Sequence, residues 1–192
     1  MKKRARSIKI PNPDYLNNVA LFYLGRYAAS EASLRRVLRN KIRRAALVHA
    51  EFAVETAKHK QLHDVIETII DKHRRLGVLN DAAFAEAKAG SMRRAGCSGS
   101  YIRNKLAQKG VKSQIVGEAL ERIDAQNDNP YEAEMIAAKA FAKRKKLVPF
   151  RKGKNDELLQ RKELAAMARA GFSYDIAQKI LGSQLEDDDL PA

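Results

Sequence analysis

The chain is punctuated by glycines that follow stretches of helical apolar spacing, and residues 79–110 show this pattern most clearly. Asn80 and Asp81 offer side-chain oxygens to the first free amides of a helix. Apolar spacing with a helical period then continues until Gly96, a residue suited to ending a helix. Residues 79–110 are therefore predicted to form two short helices that are punctuated by glycine.

A second helix follows in the same segment. Ser98 or Ser100 caps it, Ile102 and Leu106 face inward, and Gly110 closes it.

Aromatic residues make up 6% of the chain and tryptophan is absent, so aliphatic side chains and alanine must form the core. Because alternating β-branched runs are also missing, the sequence predicts an all-α fold.

The same signals place the other helices. Asn12-Pro13 and Asn129-Pro130 each open a helix, with asparagine as the cap and proline in the first turn, where its missing amide costs nothing. Ser113 is expected to cap the helix that follows Gly110.

The second helix of the chain is predicted to be long. It starts at Ser30 and continues to about Lys58. At 100° per residue, Arg36, Arg39 and Arg43 lie together opposite the apolar stripe. This separation predicts a basic face.

Three junctions combine a helix end, a small-residue turn and a serine cap, at Ser30, Ser98 and Ser173. They favour three helices per unit, with each unit stacked on its neighbour. The predicted divisions are a basic arm (1–12), repeat 1 with the extended helix (13–78), repeat 2 (79–125), repeat 3 (129–183) and an acidic tail (184–192).

The net charge of +14 favours polyanionic partners, because a cation near a phosphate releases a condensed counterion. An ordinary solvated surface is the alternative explanation for about half of these cations. The candidate binding residues are Arg36, Arg39, Arg43, Arg93, Arg94, Arg103, Lys105, Lys109, Lys143, Arg144, Lys145, Lys146, Arg151 and Lys152.

The sequence contains no convincing pattern for catalysis or for cofactor binding. Cys97 is the single cysteine and has no readable base beside it, and His59 and His63 lack a third metal ligand of convincing spacing. There is no phosphate-binding glycine loop, and no apolar run approaches the length of a membrane span. We expect a cytoplasmic, monomeric protein without catalysis, cofactor, metal or membrane partner.

Several segments, in order, resemble the RecX family of regulatory proteins over roughly residues 15–185. The matching pieces are Tyr23-Leu24-Gly25-Arg26-Tyr27 with Ser30, Leu34 and Leu38; Val65-Ile66 through Gly77; Leu79-Asn80-Asp81 with Phe84-Ala85; Arg94-Ala95-Gly96; Ile102, Leu106 and Lys109-Gly110-Val111; and Gly171-Phe172-Ser173. The long second helix departs from the family pattern.

The resemblance implies a curved all-α array of three tandem three-helix repeats. It also implies a partner, the RecA recombinase filament on DNA, along whose groove the protein would lie, with possible direct contact to the DNA. Recombinase, strand-exchange and coprotease activities would be restrained. The alternative is a general DNA-binding, nucleoid-associated helical protein.

Overall fold

The structure is a computed structural model that describes residues 8–127, 129–151 and 157–182. These residues form ten α-helices and no β-strand, which confirms the all-α prediction and suits an array of helical repeats. The helices are α1 (Pro13–Leu24), α2 (Glu31–Ala46), α3 (Ala50–Val54), α4 (Thr56–Arg75), α5 (Asp81–Arg94), α6 (Gly99–Gln108), α7 (Ser113–Asp124), α8 (Pro130–Lys145), α9 (Glu157–Arg169) and α10 (Tyr174–Gly182). Residues 1–7 of the predicted arm and the acidic tail at 184–192 lie outside the described ranges.

The chain divides into two compact units. The first comprises the described residues up to Phe84 together with Lys109–Val111, and the second comprises Ala85–Gln108 with the described residues from Lys112 onward. The boundaries predicted for the three repeats stay a prediction.

The core of the first unit is formed where α2 packs on α1, α3 and α4. Its fully buried side chains include Leu16, Leu34, Leu38, Phe52 and Ile66. In the second unit, α6 packs on α7, α8 contacts α7 and α10, and α9 packs on α10. One of its buried clusters comprises Ala137, Ala138, Phe141, Ala142, Met167, Phe172, Ile176, Ala177 and Ile180.

Most of the predicted caps are confirmed. The side-chain oxygen of Asn12 accepts a hydrogen bond from the Tyr15 amide at 2.8 Å, and that of Asn129 accepts one from the Glu132 amide at 2.9 Å. The prediction for Ser113 is wrong, because α7 begins at that residue and its N-cap, Lys112, makes no side-chain cap bond.

The predicted long second helix is also wrong. α2 ends at Ala46, and α3 and α4 follow as separate helices. His49 leaves the helical region with φ −114° and ψ 99°, and its Nε2 lies 2.7 Å from the Ile8 carbonyl oxygen. The break contains neither glycine nor proline, so local sequence gives no signal for it.

The three serine junctions are not equivalent. Ser30 precedes α2 and Ser98 precedes α6, and each of these is the second helix of a predicted repeat. Ser173, however, precedes α10, the third helix of its predicted repeat. Similar turns end helices in any position of a repeat, so the motif by itself could not fix the register.

Candidate nucleoprotein interface

The basic face on α2 forms as predicted. The Ser30 cap sets the start of the helix, with its hydroxyl oxygen accepting a hydrogen bond from the Ser33 amide at 3.1 Å. Leu34, Leu38, Ile42 and Ala45 on one side of the helix are buried. On the opposite side Arg36, Arg39 and Arg43 are exposed, so the first unit presents three guanidinium groups on one helix face.

Glu67 on α4 reduces the charge beside this face. Arg35 binds it through Nε at 2.9 Å and Nη2 at 2.8 Å, and Arg39 approaches it at 3.3 Å. The hydrogen bond from Arg35 lowers the pKa of Glu67 and, in turn, raises the pKa of Arg35, although desolvation opposes both shifts. Glu67 therefore stays a carboxylate and offsets part of the positive charge of Arg39.

Arg93 is enclosed by acidic side chains of the second unit. Its side chain is only 10% exposed and forms ion pairs with Asp124 at 2.7 Å and with Glu134. Its Nη1 also donates to the Cys97 carbonyl oxygen at 3.2 Å. Burial by itself would lower the pKa of Arg93, but the hydrogen bonds and charges of the two carboxylates outweigh it and raise the pKa. This geometry gives Arg93 a structural role.

Arg151 is likewise enclosed. Its Nε donates to Glu163 at 2.8 Å, and the two side chains are 13% and 6% exposed. Glu163 also accepts a hydrogen bond from the Val148 amide at 3.3 Å. The neighbouring candidate, Lys152, lies outside the described residues. Arg151 thus stabilises the loop after α8 and presents little surface.

The remaining candidates are exposed. Arg94, Arg103, Lys105 and the run Lys143–Lys146 lie at the surface of the second unit, and Lys109 is exposed in the first. The Lys105 ammonium lies 5.3 Å from the centre of the Tyr101 ring. These residues remain predicted contacts for a polyanion.

Some of these cations come together within the second unit. Arg144 and Lys145 line a groove of about 510 Å³ together with Arg169, the last residue of α9. Arg169 is not among the binding residues that the sequence pattern predicts. Its position in a last helical turn, where cations are common, gave no sign of the groove.

The described residues hold no cluster of three or more histidine, cysteine, aspartate or glutamate side chains that could bind a metal ion. Within the same residues, no helix is both long and apolar enough to cross a bilayer.

Comparison with known proteins identifies the family. Residues 80–120 match the family model described as "RecX, second three-helix domain". The chain is 39% identical over 187 residues to "Regulatory protein RecX" of Myxococcus xanthus (strain DK1622), which covers 95% of this chain and 94% of the relative. The chain belongs to the RecX family of regulatory proteins.

Other RecX proteins agree with this assignment. "Regulatory protein RecX" of Agrobacterium fabrum (strain C58 / ATCC 33970) is 27% identical over 173 residues, which cover 90% of this chain and 85% of the relative. The crystal structure of RecX from Lactobacillus salivarius superimposes with a TM-score of 0.62 at 23% identity and covers 88% of this chain and 94% of that one. This structural similarity supports the RecX fold.

Proposed function

We propose that this RecX protein binds the RecA recombinase filament on DNA, lies along its groove, and inhibits recombinase, strand-exchange and coprotease activity. The observation that carries the proposal is the α2 face of Arg36, Arg39 and Arg43, all three exposed and opposite a buried apolar stripe. Membership in the RecX family of regulatory proteins supports a regulatory role for the protein.

Binding to a nucleoprotein filament through this face would combine many weak contacts. Each cation that neutralises a phosphate releases a counterion, so binding strengthens with the number of contacts and weakens with added salt. A helical repeat array suits such a partner because its surface is extended. Occupying the filament groove would hinder strand exchange without any chemistry by the regulator.

The test adds the purified protein to RecA filaments formed on single-stranded DNA and measures filament binding, ATPase and strand exchange. The wild-type protein should inhibit both activities. Charge reversal to glutamate at Arg36, Arg39 and Arg43 together should weaken filament binding, while circular dichroism shows unchanged helicity.

A matched variant changes the net charge equally at exposed lysines outside this face, with Lys9, Lys60 and Lys112 replaced by glutamate. It should retain more binding than the α2 variant. Equal affinities of the two variants would show that only net charge matters, and undiminished affinity of the α2 variant would show that its face is only a solvated surface.

General DNA binding is the second candidate, and the net charge of +14 favours it. It predicts that the protein coats naked DNA at concentrations that leave the filament activities unchanged. That result would replace the first proposal.

A further inference from the structure

The groove of the second unit combines positive charge with apolar surface. Phe141, Leu147 and Ala166 supply apolar side chains, and Lys145 and Arg169 are exposed cations. None of the described residues that line the groove is acidic. The groove therefore suits an anion that also carries an apolar part.

Arg144 is held in place at this groove. Its guanidinium lies 5.6 Å from the centre of the Phe141 ring and donates a hydrogen bond to the Ala95 carbonyl oxygen. These contacts keep its positive charge at the groove, so that less side-chain freedom is lost when an anion binds. An anion that enters the groove thus meets one positioned cation and two further cations, Lys145 and Arg169.

The acidic tail of this chain has the chemistry that the groove requires. Residues 186–189 read Glu-Asp-Asp-Asp, the longest run of acidic residues in the sequence, and Leu190 follows them directly. Four carboxylates complement the three cations of the groove, and electrostatic complementarity of this kind favours one partner over others. The leucine side chain can bury apolar surface against Phe141 and Leu147. Consecutive residues of one segment thus match both the charge and the apolar surface of the groove.

The end of α10 lies close enough to the groove for the tail to reach it. Gly182, the last residue of α10, lines a depression together with Gln160 of α9, and Arg169 lies nine residues further along α9. Nine residues advance a helix by about 14 Å and bring the chain to its opposite side, so the path around α9 is roughly 20–25 Å long. The seven residues from Gly182 to Asp189 span up to about 23–25 Å when extended. The tail can therefore bring its carboxylates to Arg169 within one molecule.

We propose that the acidic tail docks in this groove of its own chain, with its carboxylates at Lys145 and Arg169 and with Leu190 on the apolar surface around Phe141. The docked tail withdraws the positive charge of the groove from other partners. The tail of a second copy has the same chemistry, but it competes only at the concentration of free protein, whereas the tethered tail is always present. The proposal involves neither recombinase nor DNA, so it can fail or succeed independently of the proposed function.

The first experiment measures the fluorescence anisotropy of a labelled peptide of residues 183–191, titrated with the full chain. It compares the wild type with a neutral-tail variant that carries Glu186→Gln, Asp187→Asn, Asp188→Asn and Asp189→Asn. A short tether gives an effective concentration on the order of millimolar. A tail that binds the groove with a Kd of about 0.1 mM should therefore weaken peptide binding to the wild type about tenfold relative to the variant.

The second comparison locates the bound peptide, with every protein variant made in the neutral-tail chain. Lys145→Gln together with Arg169→Gln should weaken binding by roughly 5- to 25-fold, because each exposed ion pair contributes up to about fivefold. The control, Lys88→Gln together with Lys112→Gln, removes two exposed lysines of the same unit outside the groove and should leave the affinity nearly unchanged. A peptide with Leu190→Ala should bind about tenfold more weakly, the lower end of what burying a leucine side chain contributes.

Cross-linking tests whether the tail binds its own chain. A carbodiimide joins a carboxylate to a lysine amine in direct contact, so mass spectrometry of the wild type should find Lys145 linked to residues 186–189. Lys145→Arg keeps the charge but has no amine to couple, and it should lose this link. In a mixture of isotopically labelled and unlabelled chains, the link should join residues of the same chain at every protein concentration.

Four outcomes would overturn the proposal. They are equal peptide affinity for the wild type and the neutral-tail variant, equal losses for the groove and control variants, unchanged affinity of the Leu190→Ala peptide, and cross-links only between different chains. The third result would reduce the contact to unspecific attraction of charge, and the last would assign the groove to the tail of a second copy. Unchanged circular dichroism spectra of the variants keep each comparison valid.

Discussion

Arg93 binds the carboxylate of Asp124 through two parallel hydrogen bonds, from Nε to Oδ1 at 3.0 Å and from Nη2 to Oδ2 at 2.7 Å. The two side chains are 10% and 8% exposed. Glu134 also contacts Arg93 and accepts a hydrogen bond from the Gly99 amide at 3.0 Å. A single guanidinium thus links α5, α7 and α8 and brings the start of α6 into the same network.

Removing the guanidinium of Arg93 should destabilise the folded protein. We expect Arg93→Ala to lower the free energy of unfolding by about 3–5 kcal/mol, because Asp124 would be left buried without its positive partner. Urea denaturation measures the loss. The adjacent exposed Arg94, changed to alanine, is the control and should alter stability by less than about 0.5 kcal/mol. Similar losses for the two variants would contradict the structural role of Arg93.

Gly110 has a left-handed backbone conformation and lies close to the side chain of Ala32. Its φ is +76°, and a Cβ atom there would lie 2.3 Å from the Cβ of Ala32. Gly110→Ala should therefore cost about 2–5 kcal/mol, the sum of backbone strain and overpacking. Gly77 has a similar φ of +71° with open space around it, so Gly77→Ala should cost only about 1–2 kcal/mol. Equal losses in thermal or urea unfolding would show that Ala32 can move aside without cost.

Ser98 serves as both a cap and a donor across the second unit. Its buried hydroxyl accepts a hydrogen bond from the Tyr101 amide at 3.1 Å and donates one to the Ala170 carbonyl oxygen at 2.6 Å. Ser98→Ala should cost about 1–3 kcal/mol, because both groups lose their partner. The exposed Ser100 provides the control. If Ser100→Ala is equally destabilising in urea, the bond to Ala170 contributes nothing measurable.

The ion pair between Arg35 and Glu67 should make the free energy of unfolding depend on pH in the acidic range. The folded-state pKa of Glu67 is lowered, so its contribution is complete above the unfolded value of about 4.3 and is lost as pH falls through the folded-state pKa. Because Glu67 is 46% exposed, the contribution should be at most about 1 kcal/mol. Glu67→Gln should be less stable than wild type at neutral pH, with the difference shrinking below pH 4. A difference independent of pH would contradict the prediction.

The first unit repeats the serine contact of the second. Ser30 Oγ donates to the Lys109 carbonyl oxygen at 2.6 Å, just before Gly110, as Ser98 Oγ donates to Ala170 just before Gly171. The local sequence predicts both serines as caps but not their carbonyl partners, which lie 79 and 72 residues away. Capping depends on neighbouring residues, whereas the partner of the hydroxyl depends on how distant segments pack.

For the candidate basic residues, too, some properties follow from local sequence and others depend on how distant segments pack. Helical spacing was enough to predict the exposed face of Arg36, Arg39 and Arg43, because a helix fixes which residues share a side. The spacing of apolar residues along the sequence predicts both Arg93 and Arg94 as binding residues and does not distinguish them. Their difference comes from Asp124 and Glu134, on other helices, which enclose Arg93 and leave Arg94 exposed.

Local sequence specifies the helical class and most helix starts and stops, because caps, glycine stops and apolar spacing act within a few residues. The order of the matching segments indicates the family. Tertiary structure decided that α2 ends at Ala46, that Arg93 and Arg151 are structural, and that Arg169 joins Arg144 and Lys145 at one groove. These outcomes depend on burial and on charges brought together from distant parts of the chain, and local patterns carry no information about either.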